Sequence, residues 1–253
     1  VMRTDTLVHK IRVPAASLDA ARHYDVNIAP LADHCNYFPK PEPTEVYGYD
    51  FVPVPSDPDT PVRMYVLADT HGYVDAPVRA ALASGPIDAL ILDGDIGDSA
   101  DTVDMITTLH RLASGITGGH FPVIYARGNH DTRGAYARHL RDHLALQDDR
   151  YYGAVTLGRT RFVFLDTGED EEDGHWAYSG LVDFEGYLAE QTAWLKREVE
   201  CPPWKNAKFR IVFTHIPPDV RLRDKKVWKQ PMARIRTLHD VLERAGTTLV
   251  VGA

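Results

Sequence analysis

"VIYARGNHDTRG" (residues 123–134) is a β-branched and aromatic run that halts at Gly128 and gives way to Asn129, His130 and Asp131. A run of this composition predicts a strand buried on both faces. Gly-Asn alone reads as a turn. An amide, an imidazole and a carboxylate in succession are also metal-ligating and proton-handling groups. The flanking strands decide between the two readings.

Outward from this stretch, residue 62 onward alternates strand and helix patterns. Strands are predicted at "VRMYVLAD" (62–69), "ALILDGD" (89–95), "FPVIYARGN" (121–129), "RFVFLDT" (161–167), "FRIVFTH" (209–215) and "TTLVVGA" (247–253). Helical spacing appears at about 75–84, 99–114, 132–146, 185–199 and 233–245. The alternation predicts an α/β fold whose central strands are buried on both faces.

Four of these runs end in ligand-type residues: Asp69 and His71, then Gly94-Asp95, then Asn129-His130-Asp131, then His215. Singly, each has a structural reading. Asp69 suits a helix cap, Gly94-Asp95 a turn, Asn129 a left-handed turn residue, and His215 a strand end before Ile-Pro-Pro. In an open α/β sheet, however, side chains just past the carboxyl ends of parallel strands converge on one crevice. Four successive strand ends of this kind predict a single polar site.

Asp69-x-His71, Gly94-Asp95, Gly128-Asn129-His130-Asp131 and a strand-final His215 together resemble the signature of the calcineurin-like metallophosphoesterase superfamily. The resemblance runs from about residue 62 to the end, and its most specific block is Gly-Asn-His-Asp. It implies a four-layer αββα sandwich holding two divalent or trivalent transition-metal ions. Asp69 and His71 would hold the first, Asp95 would bridge, and Asn129 with His215 would hold the second. A set of oxygen and nitrogen donors without sulfur suits Mn, Fe or Zn. By the same resemblance His130 is catalytic, protonating the leaving-group oxygen or stabilising its charge, with Asp131 hydrogen-bonding its ring. The expected activity is hydrolysis of a phosphate ester, as phosphatase or phosphodiesterase, by a hydroxide generated at the metal pair.

The pattern departs from the superfamily in two places. A late strand should carry a Gly-His-x-His motif; "TTLVVGA" has the right character and order, so the motif is expected beyond Ala253, the alternative being a chain that lacks two ligands and binds metal weakly. Purple acid phosphatases carry a tyrosine three positions after the bridging aspartate, where this chain has Asp98. An iron-tyrosinate centre is therefore not expected.

Residues 1–60 form a β-rich segment, with strand-like "LVHKIRV", "HYDVNIAPL" and "EVYGYDFVPV", and "PVPSDPDTP" marks the boundary of a catalytic domain over 61–253. The segment is similar to the later strands of a fibronectin-III-like domain, with Tyr24 placed like a tyrosine-corner residue. The alternative is a β extension of the catalytic sandwich. The first reading goes with a secreted or cell-envelope protein, the second with a cytoplasmic one.

Arg127, Tyr73, His175 and Trp176 are the candidate substrate contacts, while the acidic run from Glu169 to Asp173 is expected to be a solvated loop. The 253-residue chain carries a net charge of −8, and its basic run "RLRDKKVWKQ" (221–230) stands alone. That balance disfavours a broad grip on nucleic acid or anionic membrane. No apolar stretch reaches the roughly 20 residues of a membrane span, and "VMRTDTLVHK" lacks the apolar core of a signal peptide. Cys35 and Cys201 alone make neither a disulfide framework nor a thiolate zinc site. By the resemblance, the expected partner is a phosphorylated small molecule or nucleotide, with a degenerate, non-catalytic binding module and a nuclease-type enzyme as alternatives.

Overall fold

The computed structural model describes residues 11–28, 44–55, 57, 59–169, 171–218 and 233–253. The basic run 221–230, Cys35 and most of "LVHKIRV" lie outside the described residues. In chain order the elements are α1 (Ala15–Ala21), β1 (His23–Ile28), β2 (Glu45–Asp50), β3 (Met64–Leu67), α2 (Asp75–Ala83), β4 (Ala89–Asp93), α3 (Asp104–Thr117) and β5 (Val123–Ala126). There follow α4 (Leu140–His143), β6 (Gly153–Leu157), β7 (Thr160–Leu165), α5 (Phe184–Glu198), α6 (Pro202–Asn206), β8 (Phe209–Thr214), α7 (Ala233–Arg244) and β9 (Leu249–Val251).

Two sheets face each other. The first is parallel, in the order β3-β4-β5; the second runs β6-β7-β8-β9, parallel except for the antiparallel β6–β7 pair. Strand β4, "ALILD", is buried at every position. Such complete burial is why it reads as an unbroken apolar run rather than an alternating one. Its Leu90 and Leu92 pack with Leu109, Leu112 and Ile116 of α3, while Ile91 faces Phe162, Phe164 and Phe213 of the second sheet. Phe164 and Phe213 stack with ring centroids 5.4 Å apart. The outer face of the second sheet is closed by Leu188 and Leu195 of α5, Trp204 of α6, and Leu238 and Leu242 of α7. The layer order helix, sheet, sheet, helix is the expected αββα sandwich.

Besides α1, two elements lie outside the strands and helices expected from the sequence. The edge strand β6, "GAVTL", opens on Gly153 and has no clean alternation of burial, so its period is lost in the sequence. Helix α6 is a single turn opened by Pro202, with the Trp204 indole donating to the Ala245 carbonyl at 3.1 Å.

In the N-terminal segment, β1 and β2 pair as an antiparallel hairpin, His23 opposite Asp50. The helix α1, which the sequence did not announce, lies between the strand-like stretches 7–13 and 23–31 and ends on Arg22 in a left-handed conformation. The Tyr24 hydroxyl donates to the Gly119 carbonyl at 2.7 Å, and the Val52 amide to the His120 carbonyl at 2.8 Å. Tyr24 thus ties the hairpin to the turn after α3, and its ring stacks on Tyr49.

Candidate metal centre

The registers Leu67↔Leu92, Asp93↔Ala126 and Leu165↔Thr214 bring the strand ends of both sheets to one level. Two glycines let the exits of β4 and β5 close on each other. A Cβ on Gly94 would lie 2.5 Å from the Gly128 Cα, and one on Gly128 would lie 2.2 Å from Asp95 Oδ1. Only residues without side chains permit this approach.

Asp131 holds the junction. Its carboxylate accepts from the backbone amides of Asp95 (3.1 Å), Ile96 (3.0 Å) and Gly128 (3.0 Å) and from the Tyr125 hydroxyl (2.8 Å), and it is fully buried. Burial raises its pKa, while the Gly128 amide and the Tyr125 hydroxyl oppose that rise. This corrects the expectation that Asp131 orients the His130 ring: its oxygens are committed to backbone amides and a tyrosine.

Three residues in the crevice, Asp69, His71 and Asp95, adopt positive φ of 52°, 44° and 51°. Non-glycine residues held there carry strain that persists only when the surroundings enforce it. Here the Asp69 amide donates to the Gly94 carbonyl, His71 to Asp95 and Gly72 to Ile96, so the β3 and β4 exits zip together.

The zipped loops bring ligand atoms of Asp69, His71 and Asp95 within 4.8 Å of one another. His215 arrives from β8 on the other sheet, its Nε2 at 3.2 Å from Asp95 Oδ2. Its Nδ1 donates to the Asp93 carbonyl at 2.7 Å. A carbonyl only accepts, so the proton sits on Nδ1 and Nε2 turns toward the carboxylates. His71 is held likewise, Nδ1 on Asp98 Oδ1 at 2.9 Å and Nε2 at 3.7 Å from Asp69. A ligating imidazole braced on its far nitrogen is the arrangement metal sites use. Asn129 donates its amide nitrogen to Glu169 Oε2 at 3.4 Å, leaving its oxygen as the remaining donor.

Asp95 lies at the middle of this set. One oxygen accepts the His130 amide at 2.9 Å; the other faces His215 and, at 3.9 Å, His130 Nε2. Burial acts to raise its pKa, but the hydrogen bond and charge of His215 and the His130 amide prevail and lower it. For His215 burial opposes the charge, yet the Asp95 bond and charge carry its pKa up to about 9. A buried imidazole that holds a proton against desolvation has an environment built for a cation. The donor set, the fixed tautomers and this negative potential fit bound metal ions.

The other sequence-derived candidates fall elsewhere. Arg127 is not offered to a phosphate: its Nε and Nη2 bind Asp166 Oδ2 at 2.8 and 2.6 Å, and the guanidinium lies 4.0 Å over the Tyr151 ring. Being strand-adjacent, its side chain enters the core, where a desolvated cation needs a carboxylate. Tyr73 is 71% exposed and shares a shallow depression with Asp69 and Thr70. His175 accepts from the Ala177 amide in a surface turn, against a Trp176 that is 84% exposed.

The acidic run expected to be solvated begins with a buried residue. Glu169 is 1% exposed and binds the guanidinium of Arg133. Arg133, Glu169, Asp98 and Asp93 are site residues that sequence reasoning passed over. Only Asp98 had a signal, its place three residues after Asp95.

The sequence model of the calcineurin-like phosphoesterase family matches residues 62–253. The chain belongs to the calcineurin-like phosphoesterase family. Among solved structures, this chain is similar to the purple acid phosphatase PPD1 from yellow lupin (Lupinus luteus) seeds, with a TM-score of 0.56 and 13% identity. That match covers 83% of this chain and 41% of the lupin chain, so the chain spans under half the length of that relative. At such identity the likeness concerns the fold. TT1561 of Thermus thermophilus aligns over 76% of this chain and 81% of its own, at 16% identity and a TM-score of 0.42. No curated protein matches the chain in sequence. No helix among its described residues is long and apolar enough to cross a membrane.

Proposed function

We propose that the chain carries the catalytic centre of a dinuclear metal-dependent phosphoesterase that hydrolyses a phosphate ester by a single displacement with water. The reading rests above all on Asp95, whose two oxygens lie between ligand groups from both sheets. In this reading Asp69 and His71 hold one ion, Asn129 and His215 the other, and Asp95 is shared. When bound, two such ions, Mn, Fe or Zn, would supply positive charge to the phosphoryl oxygens and acidify the attacking water.

The chain's own residues supply placement and charge. Asp98 and the Asp93 carbonyl fix the tautomers of His71 and His215. His130 donates from Nδ1 to the Asp98 carbonyl at 2.8 Å, and its Nε2 accepts from Arg133 at 2.8 Å. A neutral ring so bonded has no Nε2 proton to give. Both roles expected of His130 need an N–H aimed at the leaving oxygen, so in this reading the ring takes a proton at Nε2 and releases Arg133 before it can serve either. The water oxygen bonds to phosphorus as the ester P–O bond breaks, with no covalent enzyme intermediate.

The test is metal analysis of the full-length protein together with hydrolysis of p-nitrophenyl phosphate and its diester. Two transition metals per chain are expected, and Asp95→Asn should lower hydrolysis at least about 100-fold, since even residues that only brace a ligand are worth about 10–100-fold. Retention of full activity and metal content in that variant would overturn the assignment.

A further inference from the structure

Arg133 follows the Gly-Asn-His-Asp block, and its position is fixed from three directions. Its Nε donates to Glu169 Oε1 at 2.5 Å and its Nη2 to Glu169 Oε2 at 2.8 Å, a two-pronged pair in the geometry that binds guanidinium most firmly. Its Nη1 donates to His130 Nε2 at 2.8 Å, and that nitrogen lies 3.9 Å from Asp95 Oδ2. The backbone is pinned as well, with the Arg133 carbonyl accepting from the Ala100 amide at 2.7 Å. Next to it stands Gly134 at φ 95°, where a Cβ would meet the Ala100 backbone at 2.6 Å.

Glu169 reaches this position from the opposite sheet, just past β7, with its side chain 2% exposed. A carboxylate taken out of water at that cost requires a partner, and the partner's side chain stays 41% exposed. One member of the pair is thus sequestered while the other remains accessible beside the metal-ligand set. That asymmetry is what aiming a cation at a ligand requires, rather than closing a core. The Arg127–Asp166 pair is the contrast, at 13% and 0% exposed. Beside the proposed metal ligands, the exposed carboxylate of Asp98 repels a phosphate, in a chain of net charge −8, and Arg133 is a cation placed to offset it.

We propose that Arg133, aimed by Glu169, grips a non-bridging oxygen of the substrate phosphate, and that this makes dianionic phosphomonoesters the preferred substrate class. The proposal rests on the phosphoesterase reading. A monoester carries two charges to the diester's one, so a fixed guanidinium favours it. Glu169 is a positioning residue, acting through Arg133.

The experiment uses the full-length, metal-loaded protein, with p-nitrophenyl phosphate and bis(p-nitrophenyl) phosphate as substrates and inorganic phosphate as competitive inhibitor. Loss of a hydrogen bond to a charged group corresponds to about 10- to 100-fold in binding. Arg133→Ala should raise the monoester KM and the phosphate inhibition constant by about that factor, lower the monoester-to-diester preference, and leave metal content unchanged. Glu169→Gln should move the same quantities in the same direction by less. If Arg133→Ala is poorly folded, Arg133→Lys decides: it keeps the charge but loses the fork, and its phosphate constant must still rise several-fold. An unchanged phosphate constant with unchanged preference, or a fall in kcat alone, would overturn the proposal. Failure of the wild-type protein to hydrolyse either ester would instead sink the phosphoesterase reading. Phosphate binding by calorimetry to wild type and Arg133→Ala would then still judge Arg133.

Discussion

The exits of β4 and β7, "ILDGDIGD" (91–98) and "LDTGEDEED" (165–173), are both acid-rich and both lie at the carboxyl ends of buried strands. In the first, Asp95 and Asp98 meet imidazoles, those of His215 and His71. In the second, Asp166 meets Arg127, Glu169 meets Arg133, and Asp173 accepts the Phe184 and Glu185 amides at the start of α5. The acids of one exit gather where cations can enter; those of the other are neutralised by cations and amides the fold already holds. What separates them is the partner within reach, together with the tightness of the turn. Left-handed backbone at Asp69, His71 and Asp95 keeps the first group facing the crevice.

The contrast between the exits breaks most visibly at Asp166. Asp166→Ala leaves the Arg127 guanidinium buried without its carboxylate, which costs about 3–5 kcal/mol. Asp98→Ala removes an 82% exposed carboxylate and should change stability by under about 0.5 kcal/mol. Chemical denaturation of both variants measures the difference. Equal losses would show that burial, and hence the contrast between the two exits, had been misjudged.

A smaller effect is expected from adding a methyl group to each exit. Gly128→Ala drives a Cβ to within 2.3 Å of the Asp95 amide nitrogen. Overpacking of this kind costs about 1–3 kcal/mol, and it should displace Asp95 and lower metal content. At Gly174, just beyond the second exit, an added methyl would meet no atom within 4 Å. Gly174→Ala should therefore fall within about 0.5 kcal/mol of wild type. Native metal content in Gly128→Ala would argue that the two loops need not touch.

The same contrast explains what the sequence made legible. The meeting of Asp69, His71, Asp95 and His215 was readable because each follows or ends an apolar run, and strand topology alone brings such ends together. The β4 strand and α3 were readable because their apolar periods are unambiguous. Glu169 and Arg133 were not: they are 36 residues apart, come from different sheets, and each resembles an ordinary surface charge. Arg127 was misread for the complementary reason, since nothing near it in sequence announces Asp166. Asp131 was assigned to the neighbouring imidazole by the family resemblance alone. In the fold it reaches back to amides of Asp95 and Ile96, 36 and 35 residues away. Local pattern thus reported where strands end, whereas pairing across the crevice depended on tertiary structure.

Asp93 sharpens the comparison, because it is an acid of the first exit that meets neither fate. It is fully buried, and both carboxylate oxygens lack a hydrogen-bond partner within the described structure. Burial raises its pKa from 3.8 to about 6, with His215 opposing the rise and Asp69 adding to it. Between those two values the folded state holds a proton that the unfolded state has released. Stability therefore falls as pH rises through this window, and the cost is complete above about 6. At about 1.36 kcal/mol per pH unit, the width of that window bounds the cost near about 3 kcal/mol. Asp93→Asn removes the ionisation and keeps the shape, leaving an unpartnered amide whose cost does not depend on pH. In metal-stripped protein the stability of Asp93→Asn relative to wild type should thus improve by about 1–3 kcal/mol between about pH 4 and pH 7, as read from denaturation midpoints. A difference independent of pH would mean that Asp93 is ionised and compensated, as the acids of the second exit are.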